Sequence, residues 1–214
     1  MERFDKAADE PPSYPAGTVR TLLKSDLVTP RTRAVLAARL DLAPKSAPQV
    51  LDEAAFATLR AMCVLLIPQP GRENPVDLAG AIDDRLARGD GNGWRYAVMP
   101  PDDEAYRFGL RGVDECAHAL FGAAFVALDA VNQEAVLHAV QRGEAAGESW
   151  RRVPAVRFFE ELMAELVESY YSHPEAMDEI GYAGFADAHG WQDIGLDRLA
   201  PHEPREADGT PPLP

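Results

Sequence analysis

Helix-starting and helix-stopping residues recur along the whole length of this sequence, and they commit the chain to a series of separate helices. Thr29-Pro30 places an N-cap before a proline at the first helical position, which predicts a helix from Arg31 to about Leu40. Pro44 and Pro48 mark the loop that follows. Asp52 opens a second helix, whose apolar residues Phe56, Leu59, Met62, Cys63 and Leu66 recur at spacings of three and four. Pro68 and Pro70 stop it, because proline lacks the amide donor a helix interior needs. Asn74-Pro75 predicts another start, with Leu78, Ile82 and Leu86 on one side and Gly89-Asp-Gly-Asn-Gly93 as the stop. Asp102 begins a longer helix through Tyr106, Leu110, Val113, Ala117 and Leu120. Asp129 is an N-cap for Val131 to about Gln141, which Gly143 ends. Pro154 opens the strongest segment, Ala155 to Tyr171, with Phe159, Leu162, Met163, Leu166 and Tyr170 as its apolar stripe.

No segment alternates apolar and polar residues as a strand would, and nothing repeats at a fixed period. The expected fold class is therefore all-α, a single helical domain of about six or seven helices over residues 18–199. Residues 1–17 and 200–214 are rich in Pro, Gly and charge, and read as extended or disordered arms. Arms of this kind become ordered when they lie along a partner.

Charge narrows the range of partners. With 21 basic against 35 acidic side chains, the formal net charge is −14. Phosphate backbones and anionic membrane surfaces are repelled on average, so no nucleic-acid partner is expected. The longest apolar stretches, Ala61–Ile67 and Ala117–Leu128, fall short of the roughly 18 residues that a membrane span needs, so no direct span is expected. The charged start, Met1-Glu-Arg-Phe-Asp-Lys6, lacks the apolar centre of a secretory signal, and the sequence as written reads as cytoplasmic. A periplasmic location follows instead if the chain has been trimmed or leaves the cell with a partner. Cys63 and Cys116 both fall in apolar helical patterns and read as buried thiols acting as small hydrophobes. A single disulfide between them requires an oxidising compartment.

Few residues offer chemistry. Gly89 to Gly93 lacks the preceding strand and following Lys-Ser/Thr of a phosphate loop, and reads as a helix stop. Glu115-x-x-His118 puts two metal-ligand types on one helix face, but di-iron bundles need two such pairs and two further Glu residues. A freestanding helical metalloenzyme built on Glu115 and His118 is accordingly the weaker alternative, and a homo-oligomeric scaffold is a third. Glu160, Glu161, Glu165 and Glu168 read as a solvated helix face. Ser172, His173 and Asp178 contain the side chains of a hydrolase, yet lie too close in sequence to converge as nucleophile, base and orienter usually do. No catalytic residue and no metal ligand is assigned.

The segment from Tyr170 to Gly195 mixes aromatics and glycines without a helical or strand period. Loops of this composition pack their rings on a core or on a partner. The segment resembles the C-terminal motif of the gluconate 2-dehydrogenase subunit 3 family, the small or gamma subunits of FAD-dependent sugar dehydrogenases of glucose-methanol-choline type. The matching residues are Phe158-Phe159, Tyr170-Tyr171, His173-Pro174, Ile180-Gly181-Tyr182, Gly184 and Gly190-Trp191. Ile82 to Gly89 and Phe125 to Gln133 are similar to the family's pattern upstream, and Asp129 stands where the family has a Ser/Thr-type cap. The resemblance covers roughly residues 50–195 and departs from many relatives in showing no export signal.

The resemblance implies a non-catalytic small subunit that stabilises or matures a large FAD-binding catalytic subunit. FAD would then sit in that partner, with no cofactor in this chain, and a cytochrome subunit could join the complex. It implies a structural or partner-interface role for Tyr170, Tyr171, His173, Pro174, Tyr182, Phe185 and Trp191.

Overall fold

The computed structural model describes residues 17–91, 95–182, 195–196 and 198. Among the described residues, all regular structure is helical. The helices are α1 (Thr18–Leu22), α2 (Pro30–Leu40), α3 (Glu53–Leu66), α4 (Leu78–Arg88), α5 (Asp102–Phe121), α6 (Ala130–Arg142), α7 (Ala155–Tyr171) and α8 (Pro174–Glu179). Short 3-10 turns at Phe125–Ala127 and Ser149–Arg151 join α5 to α6 and α6 to α7.

The sequence punctuation works as side-chain capping. Thr29, Asp52 and Asp129 each sit at an N-cap and accept the amide of the third residue on, with the Asp52 oxygen 2.8 Å from the Ala55 nitrogen. Such a cap satisfies one of the amides that a helix start leaves without a partner, and contributes ~1 kcal/mol. Gly143 ends α6 at φ 72°, a left-handed conformation that a side chain would strain.

One start differs from the sequence expectation. The helix foreseen at Asn74-Pro75 begins instead at Leu78, capped by Asp77. The Gln69 side chain grips Val76 from both sides, accepting its amide at 2.8 Å and donating to its carbonyl at 3.1 Å. That grip holds Val76 out of the helix. Two short helices, α1 and α8, were not foreseen at all.

The chain divides into two compact units, one of residues Pro44–Tyr170 and one of Met1–Ala43 with Tyr171–Pro214. In the first, Leu59, Met62, Ile82, Leu110, Val113, Phe125, Val140, Phe158, Leu162 and Leu166 are buried. Full burial of each Leu or Phe contributes ~2 kcal/mol. The middle of α5 is lined by glycine because aromatic rings lie against it. A β-carbon at Gly109 would come within 2.2 Å of the Phe158 ring, and one at Gly112 within 2.6 Å of Trp150. At its C-terminal end the α5 stripe departs from expectation, since Leu120 faces solvent.

In the second unit, Val19, Leu22, Leu23, Val28, Leu36 and Met177 form a small apolar cluster, with Leu40 against it. It joins α1 and α2 to α8 across most of the sequence.

Candidate functional site

The residues singled out in the C-terminal motif start at the end of α7. Tyr170 is buried, and its hydroxyl accepts from Arg72 at 3.2 Å while the same guanidinium lies 5.5 Å from its ring centroid. Tyr171 is exposed. His173 is the N-cap of α8 and Pro174 is its first residue, buried. The Nδ1 of His173 accepts the Glu175 amide at 3.3 Å, and its Nε2 faces the Arg39 carbonyl oxygen at 3.1 Å. A carbonyl only accepts, so the proton is on Nε2 and the ring is the neutral tautomer. Nε2 therefore joins α8 to α2 while Nδ1 caps α8, so both nitrogens are committed to structural bonds.

Asp178 closes the same corner. Its Oδ1 accepts the Val19 amide at 2.7 Å and so caps α1 from 159 residues away. Burial raises its carboxyl above the usual range, and the bonds it accepts from the backbone pull the other way. Ser172, His173 and Asp178 are thus not arranged as a hydrolytic triad; Asp178 and His173 bind backbone groups. Gly181 follows α8 at φ 65°, and the Tyr182 amide returns to the Met177 carbonyl at 2.8 Å, leaving the Tyr182 ring exposed. Phe185 and Trp191 lie outside the described residues.

Two polar networks lie in the other unit, and sequence reading missed both. In the first, Arg85 on α4 grips Glu165 on α7 with two nitrogens, its Nη2 being 2.8 Å from Oε2, and donates to Asp102 on α5 at 2.7 Å. The buried Tyr106 hydroxyl also donates to Glu165. Burial and the adjacent Glu165 charge drive the Tyr106 phenol well above its ordinary pKa. Burial works against the Arg85 charge, but Glu165 outweighs it and holds the guanidinium protonated. The expectation that Glu165 belongs to a solvated face is corrected: it is the shared acceptor that ties α4, α5 and α7 together.

The second network centres on Asp83, which is fully buried. Its carboxylate accepts from Lys45 Nζ at 2.8 Å and from the amides of Gln49, Val50 and Leu51 at 2.6, 3.0 and 3.0 Å. Burial alone would raise its pKa, yet Lys45 and the three amides outweigh it and hold the carboxyl at about 2.

Glu115, the only acid in a Glu-x-x-His spacing, is likewise committed. Its oxygens accept the Ser149 amide and hydroxyl at 2.9 and 3.0 Å, and Arg111 lies 3.1 Å away. His118 faces Asp114 at 3.7 Å. Among the described residues no group of three or more His, Cys, Asp or Glu is placed to hold a metal. Cys63 and Cys116 are free and buried; burial pushes the Cys63 thiol up to about 12 and raises Cys116 as well. No helix among the described residues is long and apolar enough to cross a membrane.

These observations define a class: a protein helical throughout its described regular structure, whose buried acids and capping histidine hold backbone and neighbouring helices, while Tyr171, Ile180 and Tyr182 face outward. Residues 53–196 match the family described as gluconate 2-dehydrogenase subunit 3, and the chain belongs to that family. No curated protein and no solved structure matches it significantly.

Proposed function

We propose that this chain is a non-catalytic small subunit that binds, and stabilises or matures, the FAD-bearing catalytic subunit of a sugar dehydrogenase of glucose-methanol-choline type. The observation that carries the reading is the family match over residues 53–196, which takes in α3 to α8. A subunit requires partners, and exposed Tyr171, Ile180 and Tyr182 near the end of that span are side chains suited to an interface. The polar groups best placed for chemistry support a structural role, because Asp83, Glu115, Glu165 and His173 are each bonded to backbone or to a neighbouring helix. In this reading Tyr171, His173, Pro174, Tyr182, Phe185 and Trp191 serve the interface or shape it, and Tyr170 anchors the end of α7. FAD and any electron-accepting cytochrome belong to other chains.

The test is recovery of the tagged chain from its native cells, with mass spectrometry and a flavin absorbance scan. A flavin-bearing protein of dehydrogenase size in near-equal amount is the expected result. A colourless chain recovered alone under gentle salt overturns the reading. Co-expression of that flavoprotein with and without this chain then separates stabilisation from mere association, through its soluble yield and flavin content.

A further inference from the structure

The turn between α5 and α6 exposes a concentration of apolar side chains that its own unit leaves uncovered. Leu120, Phe121, Val126 and Val131 all face solvent, Val131 at 74% and Leu120 at 52% of full exposure. The turn is held in one shape: Phe125 is fully buried, its amide donates to Asp114 at 2.8 Å, and its carbonyl accepts from Gln133 at 2.9 Å. Val126 is therefore presented outward by a fixed backbone, so docking on it costs little ordering entropy.

The charge around this patch is of one sign. Between Arg111 and Arg142 the chain carries neither Lys nor Arg; of its four acids Glu115 is committed to Ser149 and Arg111, and Asp114 to the Phe125 amide, while Asp129 and Glu134 are exposed. The helix packed against the 3-10 turn, α3, has a single cation, Arg60, which lies over the Phe56 ring and donates to the Lys45 carbonyl. A second copy of this chain on the same patch would bring acid against acid, and an anionic lipid surface would be repelled likewise. The complementary occupant is a protein surface with an apolar centre and a rim of Lys and Arg.

We infer that the α5–α6 turn, centred on Val126 and Val131, is a docking surface for a basic-rimmed apolar patch on the catalytic subunit. This rests on the subunit reading above. The rigid turn supplies the apolar contact, and Asp129 and Glu134 set partner choice and association rate more than affinity.

The experiment measures binding of the full-length chain to the flavoprotein recovered with it, for wild type, the double variant Val126→Ser/Val131→Ser, and Glu134→Lys, at two salt concentrations. Both valines are exposed, so circular dichroism and melting are expected to match wild type. The double variant is expected to bind at least tenfold more weakly. Glu134→Lys is expected to weaken binding severalfold at low salt and to flatten its salt dependence. Should the double variant misfold, Glu134→Lys and the wild-type salt dependence decide the matter by themselves. Wild-type affinity in both variants overturns the docking surface while leaving the subunit reading intact. Self-association of the wild-type chain that the valine substitutions abolish overturns it in favour of a second copy. Failure of wild type to bind any flavoprotein removes the subunit reading and this surface together.

Discussion

Four donors converge on the Asp83 carboxylate, and three are consecutive backbone amides just ahead of α3. Asp83→Asn replaces one acceptor oxygen with an amide donor facing those donors, and is expected to cost ~3 kcal/mol in urea melts at pH 7. The pH dependence follows from the same bonds. The folded carboxyl, held at about 2, lies below its unfolded value near 3.9. Its contribution is therefore complete above about pH 5 and lost as pH falls through about 2, amounting to ~2.5 kcal/mol. Urea melts between pH 6 and pH 2 are expected to show that loss in wild type and to lack this component in the Asn variant. At Gly109 the constraint is steric. Gly109→Ala adds a carbon into the Phe158 ring, and the overpacking, ~2 kcal/mol or more, is expected to outweigh the ~1 kcal/mol of helix propensity gained. The measurable outcome is a lower melting temperature. None of these roles was legible in the sequence. Asp83 reaches its partners across 32–38 residues, and Glu165 sits among acids that share its spacing, so no local pattern separates either from a solvated carboxylate.

At the scale of elements, legibility tracked length and cap chemistry. Of the six longer helices, α3, α4, α5 and α7 announce themselves through apolar spacing and α2 and α6 through their caps, and four of the starts carry an Asp or Thr cap followed three residues on by the bonded amide. The misplaced start at Asn74-Pro75 shows the limit of that signal: a strong local motif lost to the Gln69 side chain. The five residues of α1 and six of α8 are too few to show a period, and isolated helices of that length do not outlast their nucleation cost. They exist because Asp178 caps α1, Met177 joins the apolar cluster, and His173 bonds α2. The aromatic and glycine composition that marked residues 170–195 as irregular concealed a helix held by long-range contacts. His173→Ala is expected to lower the stability of α8 by ~1 kcal/mol, with His173→Asn recovering most of it, because Asn can still accept the Glu175 amide. Amide hydrogen exchange in residues 174–180 measures this directly. If His173 were instead a proton-transferring base, Asn and Ala would be equally damaging to turnover of the assembled complex.

For the whole molecule, the family match implies partner subunits, and the acidic composition bears on which surfaces suit them. A chain of net charge −14 is poorly suited to self-pairing through a face that carries only carboxylates, and the isolated protein is expected to be monomeric by light scattering. Binding should also appear as stability. A partner that recognises only the folded chain adds ~2.7 kcal/mol when its free concentration is a hundredfold above Kd. For a protein of this size, each kcal/mol moves the melting temperature by roughly 2–4 °C, so the increase on mixing should be about 5–10 °C. Differential scanning fluorimetry of the chain with the flavoprotein proposed as its partner, set against an unrelated flavoprotein at the same concentration, measures it. An equal shift with both proteins would point to non-specific excluded volume, whose contribution is below about 1 kcal/mol. A shift confined to the cognate partner, and reduced by Val126→Ser/Val131→Ser, would tie whole-molecule stability to the α5–α6 turn.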